Sequence, residues 1–239
     1  MADEAVEQNT SGGVAAVDRA FAIISALEGA DTPRTLSEIS RSTGLYKSTI
    51  LRIMESLLRA GYIMRIEDSK YTLGPTVMRL GIAYERTNPL RHHVLPILHE
   101  LVEAGSESPS FHIIQSEDER LCLFRLDSHH STLDRVRAGD RLPLRQGAAG
   151  KVLLAFTGAK GKEFNKIRTE LFARSLGERD PECAGVAAPV FGSENNVLGA
   201  LSLSGPRKRF GPAGTKEMKP QLHDAARKLS LALGGSYPE

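Results

Sequence analysis

The sequence predicts an α+β chain of two domains: three helices closed by a β-hairpin, a linker helix, then an antiparallel sheet covered by helices. Three observations carry that prediction. Apolar stripes of helical period end on glycine three times, at Gly29, Gly44 and Gly61, and a short strand pair follows. Past residue 89, strand-like runs are joined by short turns, with helical stretches before and after them. The length, 239 residues with 41% hydrophobic and 25% charged side chains, suffices for two cores.

Residues 1–13 are polar, end in Ser11-Gly12-Gly13 and read as a disordered tail. Val17, Phe21, Ile24 and Leu27 then recur at helical spacing, widened by Ala20 and Ile23, up to Gly29. Thr35 with Glu38 three residues on is a capping box, in which each side chain satisfies the other residue's backbone N–H; this opens a second helix, which Gly44 stops. A third helix runs from about Tyr46 to Ala60 with Ile50, Met54, Leu57 and Leu58 as its buried stripe, and Gly61 stands where a left-handed cap is needed. Tyr62–Ile66 and Lys70–Leu73, joined by Glu67-Asp68-Ser69, read as a hairpin. Pro75 suits the first turn of a linker helix carrying Val77, Leu80, Gly81 and Tyr84, which ends near Asn88-Pro89. The domains are therefore placed at 14–74, with a linker helix at 75–89, and at 90–239. In the second domain a helix carries Val94, Leu98, Leu101 and Val102; Ser110–Gln115 and Leu121–Leu126 read as hairpin strands, Gly150–Phe156 as a short helix. Gly185–Phe191 and Val197–Ser204 are two further strands, and a terminal helix carries Met218, Leu222, Ala226, Leu229 and Leu233.

Several function classes are disfavoured by composition. The apolar runs fall short of the ~18 residues that span a membrane, and the acidic start, Met1 to Glu7, is not a secretion signal. Two cysteines, Cys122 and Cys183, give neither a disulfide framework nor a metal-finger spacing, so a cytoplasmic location without cofactor or metal is expected. Net charge is +2, but from Arg34 to Arg79 eight basic residues face four acidic ones, a local excess that favours a polyanion.

Three helices and a hairpin in that order make a winged helix-turn-helix, with Gly44-Leu45 as the tight turn. Counting from Ser48 at about 100° per residue, Arg52, Glu55 and Arg59 fall within about 40° of it, roughly opposite the apolar stripe. Lys47, Ser48 and Thr49 stand at the start of this third helix, where recognition helices meet base edges and phosphates. Hydroxyls and amides hold phosphates, and arginine can bridge two guanine acceptors. A solvated face on an ordinary amphipathic helix has the same pattern; the capped helix before it and the hairpin after it tip the reading toward double-stranded DNA. The candidate contacts are Ser37, Thr43, Tyr46, Lys47, Ser48, Thr49, Arg52, Arg59 and, on the hairpin, Lys70.

Other signals carry less. Gly147-Ala148-Ala149-Gly150-Lys151 lacks the first glycine and the following hydroxyl of a phosphate loop, having Arg145 and Val152 there. His92-His93 and His129-His130 are adjacent, and helix neighbours point about 100° apart, which makes no ready metal site. Ser202 and Ser204 lack the sharp turn of a hydrolase nucleophile, and acidic neighbours disfavour a thiolate at Cys183. No nucleophile, base and orienting residue assemble from the sequence, so an enzyme acting on a small acid is the weaker alternative.

Val14-Ala15-Ala16-Val17-Asp18-Arg19-Ala20, Leu36-Ser37-Glu38-Ile39, Thr43 to Thr49, Gly61-Tyr62-Ile63 and Tyr71 to Pro75 resemble the DNA-binding domain of the IclR family of bacterial regulators. The resemblance continues in Leu142-Pro143-Leu144, Gly150 to Phe156, Ala187 to Phe191 and Gly199 to Pro206, nearly the whole chain after residue 13 and in the family's order. It implies a GAF-like effector-binding second domain, a homodimer or dimer of dimers, and control, by repression more often than activation, of a catabolic operon in response to a small organic or aromatic acid. It also implies a pocket at Ala148, Ala149 and Gly150, at Glu178, and at Ser202 and Ser204. Free amides at a helix start near Ala149 would hold a carboxylate, and alternation along a strand puts both serines on one face. The chain departs from the family between Phe156 and Gly177, where it is shorter, so effector identity does not transfer.

Overall fold

The structure, a computed structural model, describes residues 13–130, 134–194 and 196–238; nearly all of the tail expected over 1–13 lies outside them. The chain divides into two compact units, one ending at Thr87 and one starting at Asn88.

The N-terminal unit holds α1 (Ala15–Glu28), α2 (Leu36–Thr43), α3 (Lys47–Arg59) and α4 (Pro75–Thr87), with β1 (Arg34–Thr35), β2 (Ile63–Arg65) and β3 (Lys70–Leu73). The capping box at α2 is present: the Thr35 hydroxyl accepts from the Glu38 amide at 3.3 Å, and the Thr35 amide donates to the Glu38 carboxylate at 2.7 Å. Gly44 ends α2 at φ +70°, a conformation an L side chain resists, and so frees the chain to turn into α3. At the far end of α3 the Tyr62 amide reaches back to Leu57 O, closing a Schellman cap around left-handed Gly61.

The hairpin registers Ile63 on Leu73 and Arg65 on Tyr71, and its turn places Asp68 and Ser69 both at positive φ. Thr35 and Arg34 add the strand β1 to β3, a pairing the sequence did not suggest. The core joins Ile23 and Leu27 of α1, Ile39 of α2, Ile50, Met54 and Leu57 of α3, and Ile63 and Tyr71 of the hairpin. Two apolar assignments shift. Leu58 is exposed, with Ile53 packed against the core instead, and in α1 the stripe turns on Ile23 and Leu27 while Val17 and Phe21 face solvent. Helix α4 buries no residue, leaving Met78, Leu80, Ile82 and Tyr84 exposed.

The C-terminal unit is built on a six-stranded antiparallel sheet in the order β6-β5-β4-β9-β8-β7. Its strands are β4 (Ser108–Ile114), β5 (Glu119–Arg125), β6 (Arg141–Pro143), β7 (Ala173–Leu176), β8 (Cys183–Phe191) and β9 (Val197–Pro206). Helices α5 (Pro89–Glu103) and α8 (Pro212–Ala232) cover one face through Val94, Leu98, Leu222, Ala226 and Leu229, which meet Phe111, Val186, Ala188, Leu201 and Leu203. Alternate residues, Ala187 and Ala200 among them, face the other side, where α6 (Ala148–Phe156) and α7 (Lys162–Glu170) pack through Val152, Leu153 and Ile167. Small alanines at the sheet surface let α6 come close. The segment expected to be merely shortened, between Phe156 and Gly177, carries α7 and β7, and β6 is likewise an element not read from the sequence. No helix among the described residues is long and apolar enough to cross a membrane.

Candidate functional site

Each unit carries one polar constellation. In the N-terminal unit it lies on α3 and the turn before it. Tyr46 is 83% exposed, and Lys47, Ser48, Arg52, Glu55 and Arg59 are exposed with it on the side of α3 away from Ile50, Met54 and Leu57. Tyr46 makes no side-chain cap and no acidic residue stands in the first turn, so the helix start offers free amides and its positive dipole end to solvent. Lys47, Arg52 and Arg59 enter no ion pair among the described residues. Ser37 is exposed on α2, while Thr49 and, on β3, Lys70 are half-buried. Thr43 differs from the expectation of a DNA contact: its hydroxyl donates to Ile39 O at 2.7 Å and accepts from the Leu45 amide at 3.3 Å, so it braces the turn. Beside this face Val17, Ala20, Phe21 and Ile24 of α1 and Ile53 of α3 line an apolar groove, with Arg52 on its rim.

In the C-terminal unit a cavity of about 60 Å³ opens between the start of α6 and the sheet. Ala148, Ala149, Glu178, Ser202 and Ser204, five of the six positions that the family resemblance implies, line it. Gly150 does not line it; a Cβ there would stand 2.0 Å from Leu144 O, so the glycine serves the close approach of α6 to the preceding loop. Glu178 is also differently occupied. Its carboxylate accepts from the Gly147 amide at 3.0 Å and pairs with Lys151, itself 2.8 Å from Glu163, so a side chain already sits at the helix start meant for a ligand. Burial would raise the Glu178 carboxyl, but Lys151 and the Gly147 amide outweigh it and hold it below its ordinary value; Lys151, against burial, is held higher by Glu163 and Glu178.

The sequence reading missed His112, Arg120, Asp134 and Arg179 of the lining, and Ser110 and Arg125, which bond to lining residues from behind. The Ser110 hydroxyl lies 2.9 Å from that of Ser202 and 3.0 Å from His112 Nε2, and these groups are buried. Burial first, then the charges of Arg120, Arg125 and Arg179, push the His112 imidazole well below its ordinary pKa, so it is neutral, and its Nδ1 has no partner among the described residues. Arg125 donates to Ser204 at 3.0 Å and pairs with Asp127 at 3.1 Å and with buried Asp134, which Arg179 approaches at 3.8 Å. Arg120 lines the cavity as well. Burial pushes the Cys122 thiol up to about 12 and the Cys183 thiol also upward, so neither is a ready nucleophile. Ser110 and His112 have the spacing of a nucleophile and base, and among the described residues no carboxylate is bonded to His112. The single sequence signal available was the position of Arg120 two residues before buried Cys122 on β5.

Comparison with known proteins agrees with both halves. A model described as the IclR helix-turn-helix domain matches residues 16–66, and one described as the bacterial transcriptional regulator IclR C-terminal matches 160–231. The chain is 28% identical to the HTH-type transcriptional regulator BhcR of Paracoccus denitrificans over 249 residues, covering 93% of this chain and 88% of that protein. It superposes on the crystal structure of an ICLR transcriptional regulator from Silicibacter sp. TM1040 with a TM-score of 0.79 at 25% identity, covering 93% and 98% of the two chains. It has the fold of an IclR homolog from Microbacterium hydrocarbonoxydans complexed with 4-hydroxybenzoate, with a TM-score of 0.74 at 22% identity over 91% and 98%.

Proposed function

Because this chain belongs to the IclR family of bacterial transcriptional regulators, we propose that it is a sequence-specific repressor of a catabolic operon whose hold on DNA is set by a small carboxylic acid. Residues 14–74 read double-stranded DNA, 75–89 link, and 90–239 bind the effector, all in the cytoplasm. The observation that carries the reading is the open face of α3, the second helix of a helix-turn-helix: Lys47 and Ser48 at its uncapped start, and Arg52 and Arg59 further along, stand in solvent with no side-chain partner among the described residues. Lys47, Ser48, Thr49 and Lys70, with Ser37 and Tyr46, meet phosphates, whereas Arg52 and Arg59 reach base edges in the major groove; Thr43 acts through the turn. A homodimer, or dimer of dimers, sets two such helices in successive grooves, and the exposed apolar groups of α1 and α4 suit the contact between copies. The effector sits in the cavity lined by Ala148, Ala149, Ser202 and Ser204, beside Glu178; that a homolog of the same fold, from Microbacterium, is complexed with 4-hydroxybenzoate supports an acid as its class.

The test is duplex binding to the DNA flanking the gene, across a salt series. Arg52→Ala should weaken it by about 1–3 kcal/mol, and Lys47→Ala should also flatten the salt slope by about one. A loss for Arg52→Ala no greater than that for Arg227→Ala on α8 would remove the recognition-helix assignment.

A further inference from the structure

The cavity holds a cation with no acidic partner among the described residues. Arg120 is only 4% exposed. Its Nη1 donates to the carbonyls of Pro143 and Gln146, and no acceptor is found for Nε or Nη2 among the described residues. The other arginines here differ: Arg125 has Asp134 and Asp127, and Arg179 has Asp134. Burial, and then the charge of Arg179, pull the Arg120 guanidinium down to about 10, so it still carries its charge at neutral pH. It also lies against the start of α6, where a Cβ at Gly147 would stand 3.1 Å from Nη2 and one at Gly150 3.4 Å from Nη1. A buried cation set against the positive end of a helix is doubly unfavourable unless an anion arrives.

Neutral His112 also lines the cavity; its Nδ1 has no partner among the described residues, and Ser110 and Ser202 lie beside it. The space itself is small. A volume of 60 Å³ gives about four or five water-sized positions, far under the ~300 Å³ at the low end for drug-sized ligands.

Resting on the cavity as the effector site, we infer that Arg120 is its charge-selecting residue and that the effector is a compact hydroxy or oxo acid of about two to four carbons. Its carboxylate meets the Arg120 guanidinium at the first turn of α6. Its second oxygen meets His112 Nδ1. Asp134 and Glu178 are engaged by Arg125 and Lys151, so neither competes for Arg120.

Calorimetry on the full chain with glycolate, its uncharged amide glycolamide, and 4-hydroxybenzoate tests this. The wild-type chain should prefer glycolate to glycolamide by about 30-fold, the value of one charge-assisted contact. Arg120→Leu should lose about 30-fold for glycolate and bring acid and amide within about threefold, while Arg120→Lys restores part of the preference. The melting temperature of ligand-free Arg120→Leu should not fall, because an unpaired buried charge has been removed; should that variant fail to fold, Arg120→Gln gives the same comparison. Undiminished glycolate binding by Arg120→Leu, when Ser202→Val abolishes it, overturns the role of Arg120 and leaves the cavity reading intact. Tighter binding of 4-hydroxybenzoate than of glycolate overturns the size class. No binding of any of the three by the wild-type chain overturns the cavity reading and this inference together.

Discussion

The two units place their polar groups in opposite ways. In the N-terminal unit the buried set is apolar, from Ile23 to Tyr71, and the lysine and arginines of α3 stand in solvent. In the C-terminal unit the interior includes Ser110, His112, Arg120, Asp134 and Ser202, and each buried polar residue of the described chain belongs to this unit. The difference suits what each is proposed to bind. A duplex is a long polyanion recognised from outside, so its reader needs an inert core and a charged surface. A small acid gives little surface, so its reader must take it out of water and supply the hydrogen bonds that water gave.

The comparison breaks most visibly in the dry core. Ile50→Ala removes a fully buried side chain between α1 and α2 and should cost about 4 kcal/mol in chemical denaturation. Leu58→Ala, one turn-face away, should change stability by less than about 0.5 kcal/mol. A large effect at Leu58 would restore the apolar stripe as first read from periodicity. Next in size is Gly150→Ala, whose Cβ would meet Leu144 O at 2.0 Å. Because the obstacle is backbone, the loop must move, at a cost of about 3 kcal/mol, and the Pro143 and Gln146 carbonyls that hold Arg120 move with it. A fully stable Gly150→Ala protein would mean that α6 is not held tightly over the cavity.

These cases also show what could be read beforehand. The winged unit was legible because its signals are local: the Thr35–Glu38 box, Gly44, Gly61 and the hairpin each declare themselves within a few residues. Strand β1 was not, since two residues joining an edge leave no period. The cavity was half legible. Ser202 and Ser204 share a face by alternation, but Arg120 and Cys122 lie beyond a bulge in the β4–β5 pairing, where Phe111 faces Phe124 and His112 faces Cys122. That irregularity puts Phe124 in the α5–α8 core and Cys122 with Val136 and Leu142. Alternation counted along β5 cannot cross it. His112 was hidden for another reason: β4 is buried along most of its length, so it shows no contrast between faces. Lys151 and Glu178 are 27 residues apart, and only the fold joins them.

Interior polarity has a further, smaller consequence in acid. His112 is held neutral in the folded chain, mainly by burial and then by the three arginines around it, while in the unfolded chain it titrates near its ordinary value of 6.5. Below that pH the unfolded state takes up a proton that the folded state refuses. Stability should therefore be fully present above about 6.5 and fall by up to about 1.4 kcal/mol per pH unit below it. His112→Asn should flatten that slope, measured as melting temperature against pH. An unchanged slope would mean that His112 opens to water, and the contrast between the units would lose its sharpest electrostatic member.

The smallest expected effect is at the cap of α2, where the N-terminal unit uses polarity at its surface for architecture. Thr35→Ala deletes the hydroxyl that accepts from the Glu38 amide and should cost about 1 kcal/mol. The Glu38 carboxylate keeps its bond to the residue 35 amide, so half of the reciprocal pair survives. That carboxyl is held below its ordinary value by the Thr35 amide first and the Thr35 hydroxyl second. Its contribution is present at neutral pH and is lost as pH falls through the lowered value; Thr35→Ala should shrink this acid-sensitive part without removing it. Specificity for DNA should be untouched, because neither group reaches the exposed face of α3. If Thr35→Ala instead altered base preference while sparing stability, the capping box would be setting the angle of the recognition helix, and the charged face and dry core of this unit could not be treated as separate devices.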